Sequence, residues 1–177
     1  DYVFGGDGND SIRGGVGHDE LEGGNGNDII RAAFGDDWLA GGDGNDDLRG
    51  GSGLDELWGA LGADLLNGGS DEDYYYYEAT NESGPLAATR DTITWFQHDV
   101  DFIDVFSIDA RSATAADNAF VFIGANVAFT AAGQIRVLTS GTNVLVEFNT
   151  AGVAGAEMAI LVQNDDVANW DEFDFFL

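Results

Sequence analysis

Eight aspartates recur at a fixed interval of nine residues in the first half of this 177-residue chain. Carboxylates are the ligands that hard divalent cations prefer, and calcium accepts about six to eight oxygens, backbone carbonyls included, whereas magnesium demands a stricter octahedron. The absence of cysteine and the presence of only two histidines, His18 and His98, argue against zinc or copper. The spacing predicts calcium sites on Asp10, Asp19, Asp28, Asp37, Asp46, Asp55, Asp64 and Asp73.

Each aspartate is the sixth residue of a nine-residue unit, and most units open with two glycines. The eighth position is aliphatic in seven units and Tyr75 in the last, which predicts one inward-facing side chain per unit. Nine residues suit half a circuit of a flattened coil, with about six residues in the connecting loop and about three in a strand. The predicted fold is all-β, with a parallel β-roll over residues 1–77.

Stacking every eighteen residues places alternate aspartates on opposite edges of this roll. Successive turns lie about 4.8 Å apart, so carboxylates in register repel each other unless a cation lies between them. Gly-Asp and Asn-Gly pairs are also ordinary turn formers, and a single unit would favour that simpler interpretation. Eight units in register, with aspartate at every sixth position, favour metal binding instead.

The unit fits the pattern G-G-x-G-x-D-x-U-x of the calcium-binding parallel β-helix, and the chain resembles the repeats-in-toxin (RTX) family. This resemblance implies that each calcium lies between loops two units apart. The earlier loop would give carbonyls from positions two and four, the later loop carbonyls from positions one and three, and both loops their aspartates.

The sites that the resemblance implies can be given by residue. On one edge they join Gly6, Gly8 and Asp10 to Gly23, Asn25 and Asp28; Gly24, Gly26 and Asp28 to Gly41, Asp43 and Asp46; and Gly42, Gly44 and Asp46 to Gly59, Leu61 and Asp64. On the other edge they join Gly15, Gly17 and Asp19 to Ala32, Phe34 and Asp37; Ala33, Gly35 and Asp37 to Gly50, Ser52 and Asp55; and Gly51, Gly53 and Asp55 to Gly68, Ser70 and Asp73. Asp1 would complete one more site with Gly14, Val16 and Asp19.

Four residues depart from the glycine pattern of the loops. Ala32, Ala33 and Ala60 replace glycines, and Asp71 replaces the position-four glycine of the last unit. Alanine keeps the carbonyl ligand but is expected to strain a turn that requires positive φ. We therefore expect weaker calcium binding at these loops.

The second half of the chain has a different composition. Residues 78–90 are polar and without period and predict a connector, whereas 91–177 contain short aromatic and β-branched runs at 92–96, 102–106, 119–124, 134–138, 143–148 and 157–162. These runs predict a small antiparallel, β-sandwich-like C-terminal unit, with a short helix across 112–118. The segment RDTITWFQHDVDFIDVFSIDA resembles the C-terminal domain of serralysin-type secreted metallopeptidases, although it departs from that pattern at Trp95, Asp99, Phe102 and Phe106.

Charge and hydropathy limit the partners and the location. With 33 acidic and 6 basic residues the net charge is −27, which disfavours nucleic acid and anionic membranes as partners. The sequence contains no apolar run of the roughly 18 residues that a membrane span needs. The closing DEFDFFL is similar to the ends of proteins exported by type I secretion. We expect a bacterial, extracellular module whose partners are calcium, the secretion machinery and an N-terminal remainder of a longer parent.

The sequence offers no catalytic motif. Neither His18 nor His98 lies in an H-E-x-x-H pattern, and no G-x-S-x-G is present. We therefore predict a calcium-induced folding and export module that is not itself an enzyme. Two alternatives stay open: the C-terminal tail of a secreted zinc metallopeptidase, and a carbohydrate- or surface-binding module of a polysaccharide-modifying enzyme or adhesin.

An aromatic patch on one outer face of the roll bears on the second alternative. An early unit has Glu20 and Glu22 at the outward positions seven and nine. At these positions the later units of the same face carry the aromatic residues Trp38, Trp58, Tyr74 and Tyr76. Packing beneath the C-terminal half is the simpler explanation of this patch. A platform for sugar or another partner is the other one, because exposed aromatic patches often mark interfaces.

Overall fold

The computed structural model describes residues 1–108, 120–150, 156–165 and 167–176. Nine strands occupy the repeat region, and they alternate between two sheets. Their bounds are β1 (Tyr2–Asp7), β2 (Ser11–Val16), β3 (Glu20–Asn25), β4 (Ile29–Phe34), β5 (Trp38–Asp43), β6 (Asp47–Ser52), β7 (Asp55–Leu61), β8 (Leu65–Ser70) and β9 (Asp73–Tyr76). Most are six residues long, whereas about three residues per strand were predicted. The strands are longer because pairing continues through positions one to three of the following unit.

The strands of each sheet are parallel and pair with a step of eighteen residues. Val3 pairs with Leu21, and Leu21 with Leu39, in one sheet, while Ile12 pairs with Ile30 in the other. Alternation along each strand points position eight inward and positions seven and nine outward. The predicted parallel β-roll, with about four turns, is confirmed.

A narrow apolar core runs between the two sheets. The position-eight side chains from Leu21 to Tyr75 are fully buried, and Ile12 is nearly so. Burial of one such aliphatic side chain contributes about 1.5–3 kcal/mol. No unit could bury its own side chain alone, so stacking of turns and core formation are one event.

Seven further strands follow the repeats: β10 (Thr92–Ile93), β11 (Phe102–Asp104), β12 (Val121–Ala125), β13 (Gln134–Ser140), β14 (Asn143–Asn149), β15 (Met158–Val162) and β16 (Phe175–Phe176). Strands β11 and β16 extend the first sheet, in the order β1-β3-β5-β7-β9-β11-β16. The second sheet runs β12-β13-β14-β15-β10-β8-β6-β4-β2. Both sheets of the roll therefore continue into the second half of the chain.

The prediction of a β-rich C-terminal half agrees with these strands, but its strand pairing differs from the antiparallel unit expected. Only β13–β14 and β14–β15 are antiparallel among the described pairs there, and β10, β11, β12 and β16 pair in parallel. Strands β10 and β11 pair in parallel with β8 and β9 because they repeat the register of the roll. The boundaries 1–77, 78–90 and 91–177 stay a prediction, and the predicted helix at 112–118 lies outside the described residues. Two short 3₁₀-helices, Val167–Asn169 and Glu172–Asp174, also lie in this half. None of the described helices has the length and hydropathy of a membrane span.

Candidate metal centre

The repeat aspartates form two ladders, one along each edge of the roll. On the first edge the amide nitrogen of Asp10 donates to Oδ1 of Asp28 at 2.7 Å, and Asp28 donates in turn to Asp46 at 2.7 Å. On the second edge Asp19 donates to Asp37 at 2.7 Å and Asp37 to Asp55 at 3.0 Å. One oxygen of each later carboxylate is thus committed to the backbone one turn away.

The second oxygen of each carboxylate has no hydrogen-bond partner. Among the described residues, Oδ2 is buried and unpartnered in Asp10, Asp19, Asp28, Asp37, Asp46, Asp55, Asp64 and Asp73. Leaving even one buried polar group unsatisfied costs free energy, and an unpaired buried charge costs more. These oxygens therefore fit a cation, and their hardness fits calcium.

The glycines at position one make room for these oxygens. A Cβ at Gly5 would lie 2.7 Å from Oδ2 of Asp10, closer than real Cβ contacts allow. The same conflict would arise at the other position-one glycines of the roll. In these units the unpartnered Oδ2 of the aspartate therefore lies against the position-one glycine of the same unit.

Backbone carbonyls of neighbouring loops approach one another along each edge. A Cβ at Gly24 or Gly26 would meet the carbonyls of Gly6 and Gly8, so the position-two and position-four carbonyls of the earlier loop face the later one. The Gly23 carbonyl oxygen lies 2.6 Å from a Cβ built on Gly5 and therefore faces back. The ligand set implied by the family resemblance is compatible with these directions and stays a prediction.

The position-three carbonyls of the later loops have a further role. The amide of Gly8 donates to the Asn25 carbonyl at 2.7 Å, and Gly26 donates to Asp43 at 2.8 Å. A carbonyl oxygen has two lone pairs, so such a carbonyl can accept this hydrogen bond and still ligate a cation. Within the described residues no three His, Asp or Glu side chains converge as a metal cluster. A cation here would depend on aspartate pairs and backbone carbonyls.

The predicted strain is present at two of the three alanines. Ala33 and Ala60 have φ of +96° and +66°, which alanine rarely adopts, whereas Asp71, with φ of +81°, is a residue type that tolerates this region better. Ala32, at position one, has no positive φ, so the strain of a left-handed backbone does not arise there. Asp71 also accepts a hydrogen bond from the amide of Gly53 at 3.3 Å.

Burial makes the ionised aspartates unfavourable in the absence of a cation. It raises the pKa of Asp46 to about 6, of Asp55 to about 7 and of Asp73 to about 8, with the repulsion of neighbouring carboxylates adding to the effect. Burial and the neighbouring Asp91 also raise the pKa of Asp64. A bound divalent cation would reverse these shifts, since opposite charge favours the ionised form.

Asp1 and the two histidines lie as follows. The extra site predicted on the Asp1 side chain stays a prediction. His18 is exposed on a loop, and its Nδ1 lies 3.0 Å from the Asp36 carbonyl oxygen. His98 is enclosed, with Nδ1 2.9 Å from Asp174 and Nε2 2.9 Å from Asp165.

The His98 contact joins distant parts of the second half. Burial alone would lower the pKa of His98, but the hydrogen bonds to Asp165 and Asp174 outweigh it and raise the pKa to about 9. The Trp170 indole NH also donates to Asp165, at 2.7 Å. The imidazolium is therefore a structural clamp on the segment that ends in β16.

The ladders continue beyond the repeats through two aspartates that the motif search missed. The amide of Asp64 donates to Oδ1 of Asp91 at 2.8 Å, and that of Asp73 donates to Oδ1 of Asp101 at 3.2 Å. Both begin an Asp-x-Ile triplet, the same D-x-U order as positions six to eight of a unit. Searching for this triplet without the glycines would have found them.

Comparisons with known proteins agree with this geometry. The family model of the RTX calcium-binding nonapeptide repeat matches residues 1–30, 22–57 and 40–75. The comparison with curated proteins gives no match.

Two solved structures share the fold. The chain is similar to the AlgE6R3 subunit of the Azotobacter vinelandii mannuronan C5-epimerase, with a TM-score of 0.52, 24% identity and coverage of 97% of this chain and 80% of that one. It is also similar to the AlgE6R2 subunit of that enzyme, with a TM-score of 0.57, 22% identity and coverage of 99% and 92%. At these identities the likeness establishes the fold alone. Residues 1–75 carry RTX calcium-binding nonapeptide repeats, wound into a parallel β-solenoid.

Proposed function

We propose that this chain is a calcium-triggered folding and export module of a secreted bacterial protein and has no catalytic role of its own. The observation that supports it most directly is the set of eight repeat carboxylates whose second oxygen is buried without a partner. A chain with a net charge of −27 repels itself when these groups are ionised and no cation is bound. Calcium at the loops would supply the missing positive charge.

Folding and binding would then be the same event. The aspartate pairs come together only when turns stack, and the turns bury their leucines only when stacked. A site that does not exist in the unfolded chain contributes its binding free energy to folding. Extracellular calcium modules bind at about 10⁻⁴ to 10⁻³ M, a range that would leave the chain open in low calcium and folded outside the cell.

The segment DEFDFFL is part of the fold in its described residues. Phe175 is 6% exposed and belongs to the apolar core, while β16 pairs with β11. A secretion channel that reads this segment would meet it only while the chain is open. The serralysin-type assignment and the metallopeptidase tail stay predictions.

Calcium titration tests the proposal. Metal-free protein at pH 7.5 is expected to lack β structure by circular dichroism and to gain it cooperatively as calcium rises. Magnesium at equal concentration is the control and should act weakly, because it dehydrates reluctantly. A fully formed β structure in chelator, unchanged by calcium, would contradict the proposal.

A second candidate function is recognition of an anionic polysaccharide, and a row of cations favours it. Arg13 pairs in register with Arg31, and Arg31 with Arg49, so three of the chain's 6 basic residues form one strip on the outside of the second sheet. At the end of this strip a groove of about 540 Å³ is lined by Arg49, Asn67 and the exposed Trp95, together with Asp47 and Asp165. Arg49 donates to both carboxylate oxygens of Asp47 at 2.9 Å, so a sugar carboxylate would have to compete with Asp47 for this arginine. Arginine forks and aromatic faces suit carboxylated sugars, and the structural neighbours are parts of a mannuronan C5-epimerase.

The aromatic patch proposed from the sequence is partly engaged in packing. Tyr74 stacks on Phe102 of the C-terminal half with ring centroids 5.3 Å apart, and Tyr76 stacks on Tyr74. These contacts favour the packing explanation for that face and direct the search for a sugar site to the arginine strip.

Binding of mannuronan oligomers to the calcium-loaded chain separates the two faces. The combined Arg13→Gln, Arg31→Gln and Arg49→Gln variant is expected to bind at least tenfold more weakly, whereas Trp38→Ala should bind as the wild type does. Calorimetry at two salt concentrations measures both, since contacts of exposed charges weaken with salt. The reverse result would assign binding to the aromatic patch, and a wild type that does not bind would remove this candidate.

A further inference from the structure

The strongest unassigned feature is Asp91, which lies outside every repeat yet continues one aspartate ladder. Thr92 pairs with Leu65 and Ile93 with Leu66, so Asp91 occupies the place of a sixth residue in a ninth unit. Its Oδ1 accepts the Asp64 amide at 2.8 Å, as each later repeat aspartate does for its predecessor. Asp91 follows Asp64 by 27 residues, in place of the usual step of eighteen.

The free oxygen of Asp91 is the second observation. The side chain is fully buried, and its Oδ2 has no hydrogen-bond partner. The Tyr77 hydroxyl lies close enough to interact with this carboxylate, but no hydrogen bond of good geometry joins them. Asp91 therefore has the same unsatisfied oxygen as the eight repeat aspartates.

The opposite edge provides a contrast within the same molecule. Asp101 continues the other ladder and accepts the Asp73 amide on Oδ1 at 3.2 Å. Its Oδ2, however, accepts the amide of Gln97 at 2.8 Å, so both oxygens are satisfied by the protein. One ladder therefore ends on Asp101, whose two carboxylate oxygens both accept backbone hydrogen bonds. The other ends on Asp91, whose Oδ2 accepts none.

Asp91 is tied firmly to the C-terminal half. Its amide donates to the Ser83 hydroxyl oxygen at 2.9 Å, and that hydroxyl donates to the Ala159 carbonyl at 2.6 Å. The amide of Leu161 donates to the Asp91 carbonyl at 3.0 Å. An ion bound by Asp91 would therefore connect the repeats to β15.

We propose that Asp91 is a calcium ligand that shares an ion with the Asp64 loop, and that this ion fastens the repeats to the C-terminal half. The proposal rests on the calcium binding proposed above. The Asp64 loop provides its own carboxylate and the carbonyls of Ala60 and Gly62, which hold positions two and four. Calcium accepts water at the coordination positions that the protein does not fill. The segment before Asp91, which lacks the repeat glycines, therefore need not supply backbone ligands.

Counting bound ions by native mass spectrometry tests the assignment. Asp91→Asn keeps an acceptor for the Asp64 amide but loses the charge, and it is expected to bind one calcium fewer than the wild type. Asp101→Asn, the corresponding change on the other edge, should keep the full number. The Asp91 variant should also exchange the Leu161 amide proton at least tenfold faster at saturating calcium, because β15 loses its link to the repeats.

The possible results lead to different conclusions. An unchanged ion number in Asp91→Asn, or an equal loss in both variants, would overturn the proposal while leaving calcium-triggered folding intact. A wild type that binds no calcium would instead overturn the proposed function. If Asp91→Asn does not fold, anomalous diffraction from calcium-loaded wild-type crystals decides: a peak beside Asp91 supports the proposal, and peaks only between repeat loops refute it.

Discussion

Gly35→Ala is expected to destabilise the roll severely, whereas Gly17→Ala is expected to weaken it only modestly. The two glycines occupy position four of successive loops on one edge, with φ of +127° and +121°. A Cβ at Gly35 would lie closer than 3.0 Å to the carbonyl carbon and oxygen of Gly17, whereas a Cβ at Gly17 would meet nothing within 4 Å. Both variants bear the cost of a left-handed residue, about 1–2 kcal/mol, and only Gly35→Ala adds a backbone clash.

Urea unfolding at saturating calcium measures this difference. We expect Gly17→Ala to lose about 1–2 kcal/mol of unfolding free energy and Gly35→Ala to lose more than about 4 kcal/mol, a size that marks steric disruption. The comparison isolates the approach of neighbouring turns from the conformational preference of alanine. Equal losses in both variants would mean that the loops are further apart than the structure shows.

The regular half of the fold could be predicted because one constraint recurs in every unit. An inward residue at position eight and glycines at the turn admit only a coil that repeats every eighteen residues, and this determines both sheets and both ladders. Asp10 and Asp28 were expected to be neighbours along one edge, and the hydrogen bond between them agrees with that. Periodicity is local information, so it needs no knowledge of distant contacts.

The second half could not be predicted in the same way, because its contacts span irregular distances. Asp91 and Asp101 follow their ladder partners by 27 and 28 residues, so no fixed period reveals them. His98 reaches Asp165 and Asp174 over 67 and 76 residues, and nothing near His98 in sequence indicates either one. Short aromatic runs predict strands, but pairing direction depends on which edge of the roll each strand meets.

The directions of the aspartate pKa shifts lead to the second prediction, that acid can partly replace calcium. Asp46, Asp55 and Asp73 have pKa values raised to about 6, 7 and 8 in the folded, metal-free protein, against an ordinary value of 3.8. The folded state thus binds protons more tightly than the unfolded state, and this stabilisation is complete below about pH 4. It is lost as pH rises through 6 to 8.

Metal-stripped protein is therefore expected to gain β structure when the pH falls from 8 to 5, followed by circular dichroism without a chelator. Measurements stop above the isoelectric point of about 4.1, where low net charge promotes precipitation. His98 contributes in the same direction, but only between its ordinary pKa of 6.5 and its raised pKa of about 9. The change between pH 6.5 and 5 therefore reports the carboxylates.

Asp55→Asn provides the matched variant for this experiment, because asparagine resembles the protonated side chain. The metal-free variant is expected to fold at a higher pH than the wild type, since one buried charge no longer needs a proton. With calcium the order should reverse, and the variant should need several-fold more calcium because it has lost a carboxylate ligand. Burial of an unpaired carboxylate is the cause of the first effect, so a metal-free wild type that stays unfolded from pH 8 to 5 would exclude that cause.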